Sequence, residues 1–162
     1  MDMMREFGML AFASRLKRLG DRLKAEATKL YRDSGNEFND NWFLLALLLS
    51  HRETISVTEG AEAFGISHAA ISQMAAAMER KGLLAARIDD RDRRRTLLSL
   101  TKEGRYAAES LRPIWTAVGE CTRELVESTG TDLLAVISEI EDKLEQHNLF
   151  TRVTERMKTK EF

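Results

Sequence analysis

The sequence predicts a mostly α-helical fold with one small β-hairpin (α+β), and three observations predict it. Apolar residues recur at helical spacing through almost the whole chain. Between residues 56 and 82, capping signals mark out two short helices separated by a four-residue turn. Seven consecutive charged residues, Asp89–Arg95, then separate two short stretches with strand character. The chain has 162 residues, of which 43% are hydrophobic and 31% charged, so one globular domain with a sizeable core is expected.

The first helix is expected over residues 3–31. Phe7, Leu10, Phe12, Leu16, Leu19, Leu23, Ala27 and Leu30 fall mostly three or four apart there, with Gly8 and Gly20 as weak points. Asp33-Ser34-Gly35-Asn36 ends it. Asn39 or Asp40 can cap a short helix containing Trp42–Leu49, apolar on all sides and therefore expected to be buried. Ser56-Val57-Thr58-Glu59 has the form of a capping box. It opens a helix ending at Phe64-Gly65, where glycine suits the left-handed position. Ser67 caps the next helix, which runs through Lys81 and stops at Gly82; Ile71, Met74, Ala75 and Met78 form its apolar stripe. Residues 56–82 therefore read as a helix-turn-helix.

Leu83–Ile88 and Thr96–Leu100 read as the strands of a hairpin with a long charged tip, Leu98 and Leu100 sharing one face; Ile55 can add a third short strand. Thr101 caps a long helix to about Ser128, with Ala107, Leu111, Ile114, Val118, Cys121 and Leu125 as its stripe and Pro113 expected to bend it. Thr129-Gly130 ends it. Thr131 or Asp132 caps another helix striped by Leu134, Ile137, Ile140 and Leu144, and residues 151–162 can add a final turn or two.

Charge is uneven along this nearly neutral chain, whose formal net charge is −1. Residues 67–105 hold nine Lys and Arg against five Asp and Glu, whereas residues 35–66 and 106–162 are acidic. One basic segment in a neutral chain is a candidate anion-binding footprint, although a charge run alone also fits a solvated loop. Following a helix-turn-helix, a basic hairpin makes a winged helix. The second helix has the size to enter a DNA major groove, and the arginine-rich tip suits phosphates or a narrow, electronegative minor groove. His68, Ala69, Ser72 and Gln73 are the candidates to face the groove. Gln73 can pair with adenine, and Ala69 or Ala70 can meet a thymine methyl. Ser67 fits both a cap and a phosphate contact.

Other classes find little support. The single cysteine excludes an intrachain disulfide and favours a reducing compartment. Cys121, on an apolar stripe, reads as inert packing. Acids and an arginine interrupt the N-terminal segment, and the longest apolar run has eight residues, Trp42–Leu49, where a membrane span needs about 20; a cytoplasmic protein is expected. His51, His68 and His147 have no metal-ligand spacing, and the sequence contains no P-loop, GxGxxG, GxSxG or HExxH. No enzyme, metal or cofactor is expected.

The run GISHAAISQMAAAMERKGLLAARIDDRDRRRTLLSLTKEG, residues 65–104, resembles the winged-helix core of the MarR family of bacterial transcription regulators. The particulars are the Ser-x-x-Ala-Ile-Ser-Gln helix, Lys-Gly-Leu after it, the Asp-x-Arg-Asp-Arg-Arg wing, and Leu-Thr-Lys-Glu-Gly opening the next helix. The resemblance implies a homodimer whose N- and C-terminal helices (residues 1–35 and 105–162) interleave, with residues 36–104 binding a pseudo-palindromic operator, usually as a repressor. It places Arg94 in the minor groove and makes Asp92 the acid that holds it. Arg91, Arg93 and Arg95 become phosphate candidates. Ala75-Ala76-Ala77 departs from relatives that often carry a charge there. The resemblance also implies a small-molecule effector pocket, lined here by Trp42, Phe43, His51 and Trp115. The same aromatic spacing fits ordinary core, and His51 fits a helix C-terminal cap. A winged helix used only for protein contacts is the alternative reading; it has no need of an arginine-rich tip.

Overall fold

The computed structural model describes residues 2–34, 38 and 40–159. Its first helix is not continuous. Helix α1 (Met3–Glu6) is capped by Asp2, Gly8 takes φ +55°, and a 3-10 turn at Gly8–Ala11 leads into α2 (Phe12–Asp33). Ser34 follows α2; the expected stop at Gly35-Asn36 lies outside the described residues, as does Asn39. Asp40 sits in a 3-10 turn, Asp40–Trp42, ahead of α3 (Phe43–His51). Burial of α3 is incomplete. Leu45, Ala46 and Leu49 are in the core, but Leu44 is half exposed.

The helix-turn-helix forms as its caps predict. Strand β1 (Ile55–Ser56) runs directly into α4 (Val57–Phe64). Ser56 Oγ accepts from Glu59 N at 3.1 Å, and Ser56 N donates to Glu59 Oε2 at 2.6 Å, completing the capping box. Gly65 ends α4 at φ +60°, a left-handed conformation that costs glycine nothing. Helix α5 (His68–Arg80) starts at Ser67, whose hydroxyl accepts from Ala70 N at 3.2 Å. It buries Ile71, Ala75 and Met78 and half-buries Met74, the expected stripe.

Strands β2 (Leu84–Ile88) and β3 (Thr96–Leu100) form the hairpin, pairing Leu84 with Leu100 and Ile88 with Thr96. The expected third strand is present, with Ile55 opposite Leu98 and Ser56 opposite Leu97, so the sheet order is β1-β3-β2. Leu98 and Leu100 share the buried face. The core is one cluster, drawn from α2 (Ala27, Tyr31) through α3, β1, α4, α5 and the sheet to Ala108 and Leu111. Each fully buried aliphatic side chain in it contributes about 1.5–3 kcal/mol.

The root of the hairpin is closed by a dense junction. Thr101 N donates to Leu83 O at 3.1 Å, and its hydroxyl donates to Gly82 O at 2.7 Å. The same hydroxyl accepts from Gly104 N at 2.9 Å, capping α6 (Lys102–Glu127). A Cβ on Gly104 would stand 1.9 Å from Leu83 O. Glycine is therefore required at the end of the Thr-Lys-Glu-Gly motif, because helix and strand backbones touch there. Pro113 lies inside α6 without ending it.

The chain packs as two compact units, residues 1–116 and 117–162. The first contains the core just described. The second contains the C-terminal part of α6, α7 (Leu133–Gln146) and α8 (Leu149–Lys158), with Asp132 and Asn148 as caps. No described residue of this second unit is buried. Of the stripe expected on α7, Ile137 is half buried while Leu134, Ile140 and Leu144 are exposed. Cys121 corrects the sequence reading: it is an exposed thiol, because no described residue of its unit covers that face of α6. On α2, Leu16, Leu19, Leu23 and Leu30 are likewise exposed.

Gly104→Ala is expected to destabilise the protein by about 3 kcal/mol or more, because the added methyl meets backbone that cannot yield locally. Thermal or urea unfolding beside the wild type measures this; a loss below 1 kcal/mol would contradict the close approach.

Candidate nucleic-acid interface

Helix α5 turns two faces in opposite directions. Ile71, Ala75 and Met78 point into the core, while His68, Ala69, Ser72 and Gln73 are all exposed. Ser67 is exposed as well and is engaged as the N-cap. Ala70 is half buried. Arg80 is exposed at the far end of the helix and extends the polar face. The first turn of α5 presents backbone N–H groups and the positive end of the helix dipole, which favours a phosphate.

The wing tip is built by its own acids. Asp89 N donates to Arg95 O and Arg95 N to Asp92 O, both at 2.9 Å, which closes the turn. Asp89 Oδ1 accepts from Arg91 N at 2.9 Å, a local side-chain turn of the kind aspartate favours. Asp92 is used twice. Its Oδ1 accepts from the main-chain N of Arg94 at 3.1 Å, and its two oxygens accept from Arg94 Nε and Nη2 at 3.1 and 3.3 Å. The Arg94 side chain is nonetheless 91% exposed. It is thus oriented yet open, with donors left over for an acceptor outside the chain. Hydrogen bonds from the Arg94 side chain, then from its main-chain N–H, hold the Asp92 carboxyl below its ordinary range. Arg91 and Arg93 are exposed at the same tip.

Arg95 differs from its neighbours. Its Nη2 donates to Glu59 Oε2 at 3.2 Å, joining the wing to the first turn of α4. The Glu59 carboxyl is held below its ordinary range by its bonds with Ser56, with Arg95 and Arg52 adding electrostatic support. The sequence marks Glu59 only as half of a capping box. Its second partner lies 36 residues away, and no local signal marks it.

The four residues expected around an effector do not all meet. Trp115 packs against Phe43 with ring centroids 5.2 Å apart, and Phe38 joins Trp115 at 6.1 Å and Trp42 at 5.8 Å. No local signal in the sequence marks Phe38 for this cluster, because it lies ahead of the apolar run that begins with Trp42. The indole Nε1 of Trp115 is buried without a hydrogen-bond partner among the described residues. His51 stands apart at the C-terminus of α3. Its Nδ1 is 2.8 Å from Leu47 O, and it lines a different cleft of about 570 Å³ together with Glu53, Arg105 and Glu109. Among the described residues no group of His, Cys, Asp and Glu could hold a metal ion, and no helix is long and apolar enough to cross a membrane.

Residues 37–95 match the model of the MarR family, whose members are transcription regulators rather than enzymes. A search of curated protein sequences returns no match. Solved structures do match. The chain is similar to the transcriptional repressor CouR bound to a 23-mer DNA duplex, at 25% identity and a TM-score of 0.69 over 87% of this chain and 98% of that one. It is similar to the MosR regulator of M. tuberculosis in complex with DNA, at 22% identity and a TM-score of 0.69 over 85% and 98%. It is also similar to BpsR of Bordetella bronchiseptica, whose DNA binding is regulated by 6-hydroxynicotinic acid, at 22% identity and a TM-score of 0.65 over 80% and 92%.

The Asp92 carboxyl is expected to titrate below its ordinary value of 3.8. Because the folded value is depressed, the tip's contribution to stability is present above the ordinary carboxylate range and is lost as the pH falls through the folded value. Carboxyl NMR reads this directly; Arg94→Ala should return the midpoint toward 3.8, and an unchanged midpoint would sink the assignment. From Thr101-x-x-Gly104 to the Asp92–Arg94 wing, the residues that carry the resemblance fall in their expected structural places: residues 37–95 match the MarR family, and the chain has a winged-helix core and the fold of the MarR-family regulators it is similar to.

Proposed function

We propose that this chain is a sequence-specific double-stranded-DNA-binding transcription regulator of the cytoplasm. It acts as a homodimer on a pseudo-palindromic operator, as a repressor, and is released by a small-molecule effector. The observation that carries this reading is the wing tip: an arginine oriented by Asp92, almost fully exposed, on the same unit as the exposed face of α5. A side chain already fixed in place loses little further entropy on entering a minor groove. His68, Ala69, Ser72 and Gln73 read base edges in the major groove, Ser67 and the first turn of α5 meet phosphate, and Arg91 and Arg93 add phosphate contacts.

Residues 36–104 are the DNA-binding part, and residues 1–35 and 105–162 the dimerisation part. Support for the dimer is the uncovered apolar stripe on α2 and on α7. A second copy would cover such surface, and a two-fold pair would present two recognition helices roughly 34 Å apart, one turn of DNA. The effector site is the aromatic cluster of Trp42, Phe43, Phe38 and Trp115, without His51. The Trp115 N–H, without a partner among the described residues, offers one donor to an acceptor on a planar ligand. BpsR, which responds to an aromatic acid, is a precedent for such chemistry on this fold.

Binding to duplexes selected from a random-sequence pool should weaken steeply between about 50 and 200 mM salt, as phosphate contacts release counterions. Arg94→Ala should cost about 1–3 kcal/mol of binding. If the wild type selects no sequence, the regulator reading fails; an Arg94→Ala protein of wild-type affinity removes the minor-groove role. A Gln73 substitution should change the preferred base at one position per half-site. A loss spread evenly over all sequences would mean that Gln73 touches phosphate only.

A further inference from the structure

We propose that Glu59 and Arg95 are positioning residues that set the wing relative to the recognition helix, and that Arg95 serves DNA binding through Glu59 rather than through a phosphate. This rests on the DNA-binding reading above. Two adjacent arginines have opposite fates. Arg94 is held within the tip and is 91% exposed, whereas Arg95 is 43% exposed and crosses to the body of the helix-turn-helix. The main chain of Arg95 forms the base of the tip turn, bonded to Asp92 through its N–H and to Asp89 through its carbonyl. Its guanidinium therefore holds the turn that carries Arg94.

The other end of the tie is rigid. Glu59 Oε2 already accepts from Ser56 N at 2.6 Å, and Ser56 is 1% exposed and paired in the sheet opposite Leu97. One carboxylate oxygen thus joins the N-cap of α4, strand β1 and the wing. A half-exposed ion pair adds little to stability, so global stability does not account for this arrangement. A phosphate ligand at Arg95 would also have to displace Glu59 or tolerate its negative charge beside the same guanidinium.

The test uses the full chain and a duplex that the wild type selects from a random-sequence pool. Glu59→Gln keeps the capping box, where glutamine serves as well as glutamate, but removes the charge facing Arg95. Arg95→Gln removes the other partner. Each is expected to weaken binding about fivefold with the slope of log affinity against log salt unchanged, and the double variant to bind no worse than either single one. Arg95→Lys, which can still reach Glu59, should recover most of the affinity. In DNA-free protein, the amides of Asp89 and Arg95 should exchange faster in both glutamine variants while the melting temperature stays near wild type.

A different pattern overturns the proposal: Arg95→Gln lowers the salt slope by about 0.9, the mark of one lost phosphate contact, while Glu59→Gln binds like wild type. Additive losses, or unchanged exchange at the tip, overturn it too. Should the wild type select no duplex, the DNA-binding reading falls, and the exchange measurement alone decides whether the pair holds the wing.

Discussion

Everything between Leu83 and Thr101 depends on one close approach, that of the α6 backbone at Gly104 to the carbonyl of Leu83. It brings the two ends of the wing together at the floor of the hairpin. Thr101 reinforces it from both sides, donating to Gly82 and Leu83 and capping the helix that follows. The end of α5 is thereby tied to the start of α6, and the hairpin springs from that knot. Any displacement there would be carried along β2 and β3 to the tip. The motif Thr-Lys-Glu-Gly is thus a geometric requirement: a hydroxyl that bridges two backbones and a residue with no side chain.

From that root outward, acids do most of the positioning. Asp89 shapes the turn, Asp92 orients Arg94, and Glu59 holds Arg95. None of these bonds is deeply buried, so each adds little to global stability. Their effect lies in direction: they decide where cationic groups stand before any partner arrives. A basic tip without the acids would carry more positive charge and less order.

Much of this was legible in the sequence because the signals are local. Ser56-x-x-Glu59, Gly65, Ser67 and Gly82 delimit the helix-turn-helix within single turns, and the alternation of Thr96–Leu100 marks its strand. The pairing of Asp92 with Arg94 was also foreseeable, two residues apart and within a resemblance. What escaped has long range or concerns absence of cover. Glu59 and Arg95 meet across 36 residues. Phe38 enters the aromatic cluster through tertiary packing. The resemblance sets His51 with Trp42 and Phe43 beside Trp115, yet two turns of helix carry it to another cleft. Cys121 lies on an apolar stripe, but a stripe records which face wants cover and not whether the chain itself supplies it. Gly8 is a weak point in the helical pattern, and the fold takes the stronger form of that weakness, a break.

The core is closed within the winged helix while the stripes of α2 and α7 stay exposed. The elements that would read a sequence and the surfaces that would recognise a copy draw on separate sets of residues. Substitutions on an exposed stripe leave the core and the wing's root intact, and changes at His68, Ser72 or Gln73 leave the stripes intact. Over a lineage, pairing specificity and target specificity can therefore drift independently, so that duplicated copies can part company in whom they join without losing what they read.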